Sequence, residues 1–125
     1  MNDTSCVFCG IAERAPVLAR DDRTGTVAIA DINPVVPGHS LVIPPRHVET
    51  FLEFSDDEAG GAKNVATALA EQLRADDPEI EGFNLLWNCG RAAWQSIPHA
   101  HMHVVPRRRG DDLLTALSRL PSIDG

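Results

Sequence analysis

"PHAHMHVVPR" (residues 98–107) sets three histidines at every second position of a chain that has five. One turn of helix would scatter them around its circumference. On a β-strand alternate side chains share a face, so His99, His101 and His103 project together while Ala100, Met102 and Val104 turn toward a core. A rise of about 3.3 Å per residue would set successive imidazoles roughly 6–7 Å apart. The stretch reads as a strand over 99–105 with one apolar face and one imidazole face.

The rest of the chain bounds what that face can serve. A length of 125 residues suits a single domain with one sizeable core. Apolar residues at 43% and charged residues at 23% are the balance of a globular protein in water. The net charge of −7 excludes a protein that coats a nucleic-acid polymer, though not one that binds a single nucleotide. Arg107-Arg108-Arg109 is the local exception, read either as a solvated loop or as a phosphate-steering patch. No apolar run approaches the ~20 residues of a membrane span, and residues 1–20 lack a signal-peptide core, so a cytoplasmic protein without membrane contact is expected. Three cysteines are too few, and odd in number, for a disulfide scaffold. Cys6 and Cys9 have the spacing of a metal half-site or redox pair, and Cys89 reads as a lone packed thiol.

Residues 6–13 read as a short helix ended by Pro16. "TVAIADI" (26–32) alternates and is β-branched, hence a strand; "NPVVPGHS" (33–40) is a loop; "LVIP" (41–44) is a second strand. "SDDE" (55–58) is a capping box, with Ser55 as cap and Glu58 three residues on, opening a helix to about Leu73. Val65, Leu69 and Leu73 recur on one face of it, and Gly60 and Gly61 weaken its first turns by about 1 kcal/mol each relative to Ala. "GFNLLWN" (82–88) is a third strand, 89–98 a loop, and 111–119 a short C-terminal helix. Strands, then a helix, then strands define an α+β fold with an antiparallel sheet.

Three histidines in register admit three uses: a satisfied polar face, a metal site, or nucleophilic and acid–base catalysis. Three ligands from one strand are nearly collinear, which suits tetrahedral metal closure poorly. Catalysis gains from the preceding loop, where Asn88, Gln95 and Ser96 offer amides, a hydroxyl and backbone N–H groups for the oxygens of a phosphate. Asp31, at a strand end, either accepts the hydroxyls of a ribose or caps its own turn.

"QSIPHAHMHVVPR" resembles the signature of the histidine-triad (HIT) family, His-φ-His-φ-His-φ-φ with φ apolar. "CVFCGI" resembles the start of bacterial, Hint-like members, "DINPVVPGHSLVIPPRH" their middle segment, and "NLLWNCG" the approach to the triad, in the family's order. The resemblance implies one HIT domain over residues 1–125, with about 111–125 as a C-terminal tail. It implies a five-stranded antiparallel sheet with two helices, pairing in a homodimer into a continuous sheet. It also implies hydrolysis at the α-phosphate of nucleoside phosphoramidates or related nucleotide conjugates, adenosine preferred, through a nucleotidyl-histidine. Transfer to an acceptor other than water, or nucleotide sensing with little turnover, are the alternatives. By position His101 is the nucleophile, with His103, Ser96 and His39 beside it. Asp31 takes the ribose, Asn88 and Gln95 lie near the phosphate, and Ile32, with the residues around Val27 and Ile29, lines the base pocket. Trp94 stands where the family has glycine, and is expected to stack over the leaving-group side or pack into a dimer interface. Cys6, Cys9, His47 and His99 would hold a structural zinc, with no catalytic cofactor required.

Overall fold

The computed structural model describes residues 6–112. Its centre is a five-stranded antiparallel sheet of β1 (Ala19–Asp21), β2 (Thr26–Ala30), β3 (Ser40–Ile43), β4 (Ile80–Trp87) and β5 (Met102–Arg108), in spatial order β1-β2-β3-β5-β4. One α-helix, α1 (Asp56–Asp76), crosses one face. Among the described residues no helix is long and apolar enough to cross a membrane. The expected second helix, near 111–119, falls almost wholly outside the described residues.

Alternation along the strands sorts the two faces. Ala28, Val42, Met102 and Val104 point toward α1 and pack on Ala62, Val65 and Leu69, with Leu73 at the margin. Val27, Ile29, Leu41 and Ile43 point the other way and are covered by Phe8 and the segment leading to β1. His101 and His103 belong to this second face; His103 sits between Leu41 on β3 and Leu86 on β4 in register.

Helix α1 begins at the expected box. Ser55 Oγ accepts from the Glu58 amide at 3.1 Å, and Glu58 Oε1 accepts from the Ser55 amide at 2.9 Å. It ends at Asp76, three residues beyond the expected limit and just short of Pro78. The two glycines differ. Gly60 is exposed with open space around it, whereas a Cβ on Gly61 would come within 2.2 Å of Thr24 Oγ1 in the β1–β2 turn.

Three expectations change. Residues 6–13 hold only a 3-10 turn, Ile11–Glu13, because Cys6–Gly10 curl to aim two sulfurs inward, with Gly10 in the left-handed region. The histidine strand starts at Met102 and runs to Arg108, not over 99–105. The His99 amide bonds back to the Ile97 carbonyl and the Ala100 amide goes to Val48, so His99 leaves the strand's hydrogen-bond ladder. Finally β1 is a strand that "ARD" does not announce: no residue in it is β-branched, and it exists by pairing with β2.

Candidate active site and metal centre

The five histidines divide into two groups. His99 turns away from its neighbours and meets the N-terminal loop. Its Nδ1 lies 3.4 Å from Cys6 Sγ, 3.6 Å from Cys9 Sγ and 3.3 Å from His47 Nδ1, while Cys9 Sγ and His47 Nδ1 are 3.2 Å apart. All four donor atoms fall within 4.8 Å of one another. Zinc bonds of about 2.3 Å to sulfur and about 2.0–2.1 Å to nitrogen set tetrahedral donors roughly 3.3–3.8 Å apart, which these distances match closely. His99 is also in the right state to ligate. His99 Nε2 donates to the Pro44 carbonyl at 2.9 Å, which leaves the Nδ1 lone pair facing the sulfurs. Burial further lowers the His99 pKa and keeps the ring neutral. Two thiols and two imidazoles, converging from residues 6, 9, 47 and 99, fit a tetrahedral zinc ion.

The second group is His39, His101 and His103, each at most 5% exposed. His101 Nδ1 donates to the His99 carbonyl at 2.9 Å, which leaves Nε2 as a lone-pair nitrogen. His39 Nδ1 accepts from the Val35 amide at 3.2 Å, so its proton is on Nε2, which donates to His103 Nδ1 at 2.9 Å. His103 in turn carries its proton on Nε2. Burial is the main force lowering the pKa of all three; His103 is pushed down to about 3, with the charges of His101 and His39 adding to it. At neutral pH the group therefore offers one nucleophilic nitrogen and one N–H donor, both uncharged.

Asp31, His39 and His103 also lie close enough to suggest a metal. The tautomers argue against one, because the His39 nitrogen that would ligate carries the proton shared with His103. Asp31 does two things at once. Its Oδ1 accepts from the Asn33 amide at 2.9 Å, closing the turn, while Oδ2 is buried 3.3 Å from His39 Nε2 and accepts no hydrogen bond. One oxygen caps; the other is unsatisfied and suits a ligand hydroxyl.

The loop over 88–98 is built around Gln95. Its Oε1 accepts from the Gly90 amide at 2.7 Å, and Nε2 donates to the Glu49 and Ile97 carbonyls at 2.5 and 2.9 Å. That amide is occupied in shaping the loop. Ser96 and Asn88, half-buried, make no side-chain hydrogen bond among the described residues. Trp94 has φ 71°, the one non-glycine residue in the left-handed region among the described residues, and is 56% exposed. Ile32 is 91% exposed, whereas Val27 and Ile29 are consumed by packing. The Arg107–Arg109 run is not the solvated loop of the first reading: Arg107 and Arg108 end strand β5 with mostly covered side chains, and only Arg109 is exposed. The three side chains pair with Asp111, Asp77 and Glu81 respectively, so their charges are engaged within the fold.

Sequence reasoning missed Phe8, whose ring stands edge-on to His101 at 4.9 Å, and the Val35 amide that sets the His39 tautomer. Phe8 had a signal, its place between the two cysteines. The Val35 amide had none.

The family model of the HIT domain matches residues 14–110. The chain is 34% identical over 122 residues to a HIT-like protein of Methanocaldococcus jannaschii, an alignment covering 95% of this chain and 92% of that one. It is 33% identical over 108 residues to the adenosine 5′-monophosphoramidase of Candida albicans, covering 83% and 71% of the two chains. A zinc-bound histidine triad family protein from Mycobacterium smegmatis superposes with a TM-score of 0.75 at 37% identity, over 87% of this chain and 79% of that one. The chain belongs to the HIT family.

Proposed function

We propose that this protein hydrolyses nucleoside phosphoramidates, or related nucleotide conjugates, at the α-phosphate, with His101 as nucleophile. The observation that carries the reading is the His101 tautomer: a neutral imidazole, Nδ1 held on the His99 carbonyl, Nε2 free. Attack forms the Nε2–P bond and breaks the bond from phosphorus to the leaving amine, which takes up a proton. Water then attacks phosphorus and releases the histidine. His103 Nε2–H donates to a phosphoryl oxygen or the leaving group, with Ser96 and Asn88 adding donors. Gln95 holds the loop, Trp94 and Ile32 border the substrate, and Asp31 Oδ2 takes the ribose hydroxyls. His39 sets the protonation of His103. A purine nucleotide, adenosine above all, is favoured by the adenosine 5′-monophosphoramidases among the relatives.

Zinc held by Cys6, Cys9, His47 and His99 supplies structure and no step of the reaction. A site built on two cysteines outside any disulfide suits a reducing compartment, hence the cytoplasm. A homodimer would pair β4, an edge strand, with the partner's copy; a groove of about 860 Å³ between α1 and β4, lined by Phe83, Leu85, Trp87 and Met102, lies at that edge.

Incubation with adenosine 5′-phosphoramidate should release AMP, and rapid quenching should trap one adenylyl group on the peptide bearing His101. His101→Ala should lose several powers of ten in rate and still bind AMP. Retention of a tenth of the activity rejects the mechanism, and thermal stabilisation without turnover in the wild type marks a binding protein.

A further inference from the structure

We propose that Phe8 is a positioning residue for the reaction: carried by the metal loop, its ring holds the His101 imidazole with Nδ1 on the His99 carbonyl and Nε2 presented. The inference rests on the reading of His101 as nucleophile. Phe8 lies between two of the four metal donors, in Cys6-Val7-Phe8-Cys9. Val7 turns outward, 53% exposed, while Phe8 turns inward at 5% and packs on Val27, Ile29, Leu41 and Ile43. The edge left free meets His101 at 4.9 Å and 61°, and His99 at 6.0 Å and 82°.

His101 needs such a wall. Its ring makes one hydrogen bond, to a single carbonyl, and its other ring neighbour is His103 at 5.2 Å. A half-turn about Cβ–Cγ would exchange Nδ1 with Cδ2 and Nε2 with Cε1, which breaks the bond to the His99 carbonyl, releases the tautomer it sets and puts a carbon where the nucleophilic nitrogen belongs. Two routes tie that orientation to the metal set. His99 gives Nδ1 to the set and its own carbonyl to His101, and the cysteines give their sulfurs and fix Phe8 between them. Closing the four donors therefore fixes both the hydrogen-bond acceptor and the wall of the nucleophile.

Three readouts on one panel test this: zinc content, the ring tautomer of His101 by long-range ¹H–¹⁵N NMR, and kcat against KM on adenosine 5′-phosphoramidate. Wild type and Val7→Ala should carry one zinc and show a single Nδ1–H tautomer at His101. Phe8→Leu should keep its zinc, show mixed His101 tautomers and lose about tenfold in kcat with KM within twofold. Chelated wild type should reproduce the mixed tautomers without any substitution. An unchanged His101 spectrum in Phe8→Leu, or an effect on KM alone, overturns the proposal and makes Phe8 a wall for substrate. Loss of zinc from Phe8→Leu also overturns it, since the ring then serves the metal centre. If Phe8→Leu does not fold, the chelated wild type decides by the same spectrum. If His101→Ala stays active, the nucleophile reading fails while the tautomer readout still reports on positioning.

Discussion

A left-handed backbone costs an ordinary L-residue about 1–2 kcal/mol, and at Trp94 nothing visible in the fold offsets that cost. The indole is more than half exposed and stacks on no other aromatic ring among the described residues. Glycine in the family pattern at this position has a direct explanation, since the turn closing Arg91–Ala93 requires the left-handed region at its end. Glycine would remove the strain and cost about 0.5–1 kcal/mol in unfolded-state entropy. Trp94→Gly should therefore raise stability by roughly 1 kcal/mol, a shift of a few degrees in a thermal melt. A lowered melting temperature would mean that the indole is packed, as in a dimer interface. The same substitution should raise turnover of dinucleoside polyphosphates relative to aryl phosphoramidates, measured on a substrate panel, if the indole borders the leaving group. The identity of the residue was plain in the sequence; the handedness of its backbone was not, because it depends on how Gln95 pins the loop to Glu49 and Ile97.

At the scale of elements, local signals were legible where they were strong. The capping box, the apolar stripe of α1 and the alternation of β2 each announce themselves within a few residues. Strand β1 and the swing of His99 out of register do not, since neither is written in its own residues: β1 is made by pairing with the next strand, β2, and His99 is turned by Pro44 and the cysteines, far along the chain. The paired glycines of α1 show the same limit. By propensity they are alike; by packing they are opposites. Gly60→Ala should stabilise by about 0.5–1 kcal/mol, the full helix-propensity gain with nothing to hit. Gly61→Ala should destabilise by about 1–3 kcal/mol, because its Cβ would displace the Thr24 hydroxyl from between Asp21 and Thr26. Urea titrations of both variants give the two signs directly, and equal signs would mean that α1 can slide away from the turn.

At the scale of the whole molecule, the buried imidazoles make stability depend on pH. His39 and His103 are buried on the face that the N-terminal segment covers, and both are held below the ordinary histidine value, His103 at about 3. In the unfolded chain each would titrate near 6.5. Between those values the unfolded state binds protons that the native state does not. The contribution is therefore complete above about pH 6.5 and is lost as pH falls through the window toward the native values. Each proton corresponds to a slope of about 1.4 kcal/mol per pH unit. The Glu58 carboxyl, held at about 2 by Arg46, adds to the loss only below its ordinary value of 4.5, and that pair is partly exposed and so contributes little. Stability measured by denaturant at saturating zinc from pH 6 to 5 should thus fall by one to two protons' worth more in the wild type than in a His39→Gln, His103→Gln double variant. Parallel slopes would place protonated histidine in the native site, and with it a His103 that could no longer accept from His39. That result would also remove the proton arrangement on which attack by a neutral His101 depends, so the pH dependence of folding tests the same tautomers as the chemistry.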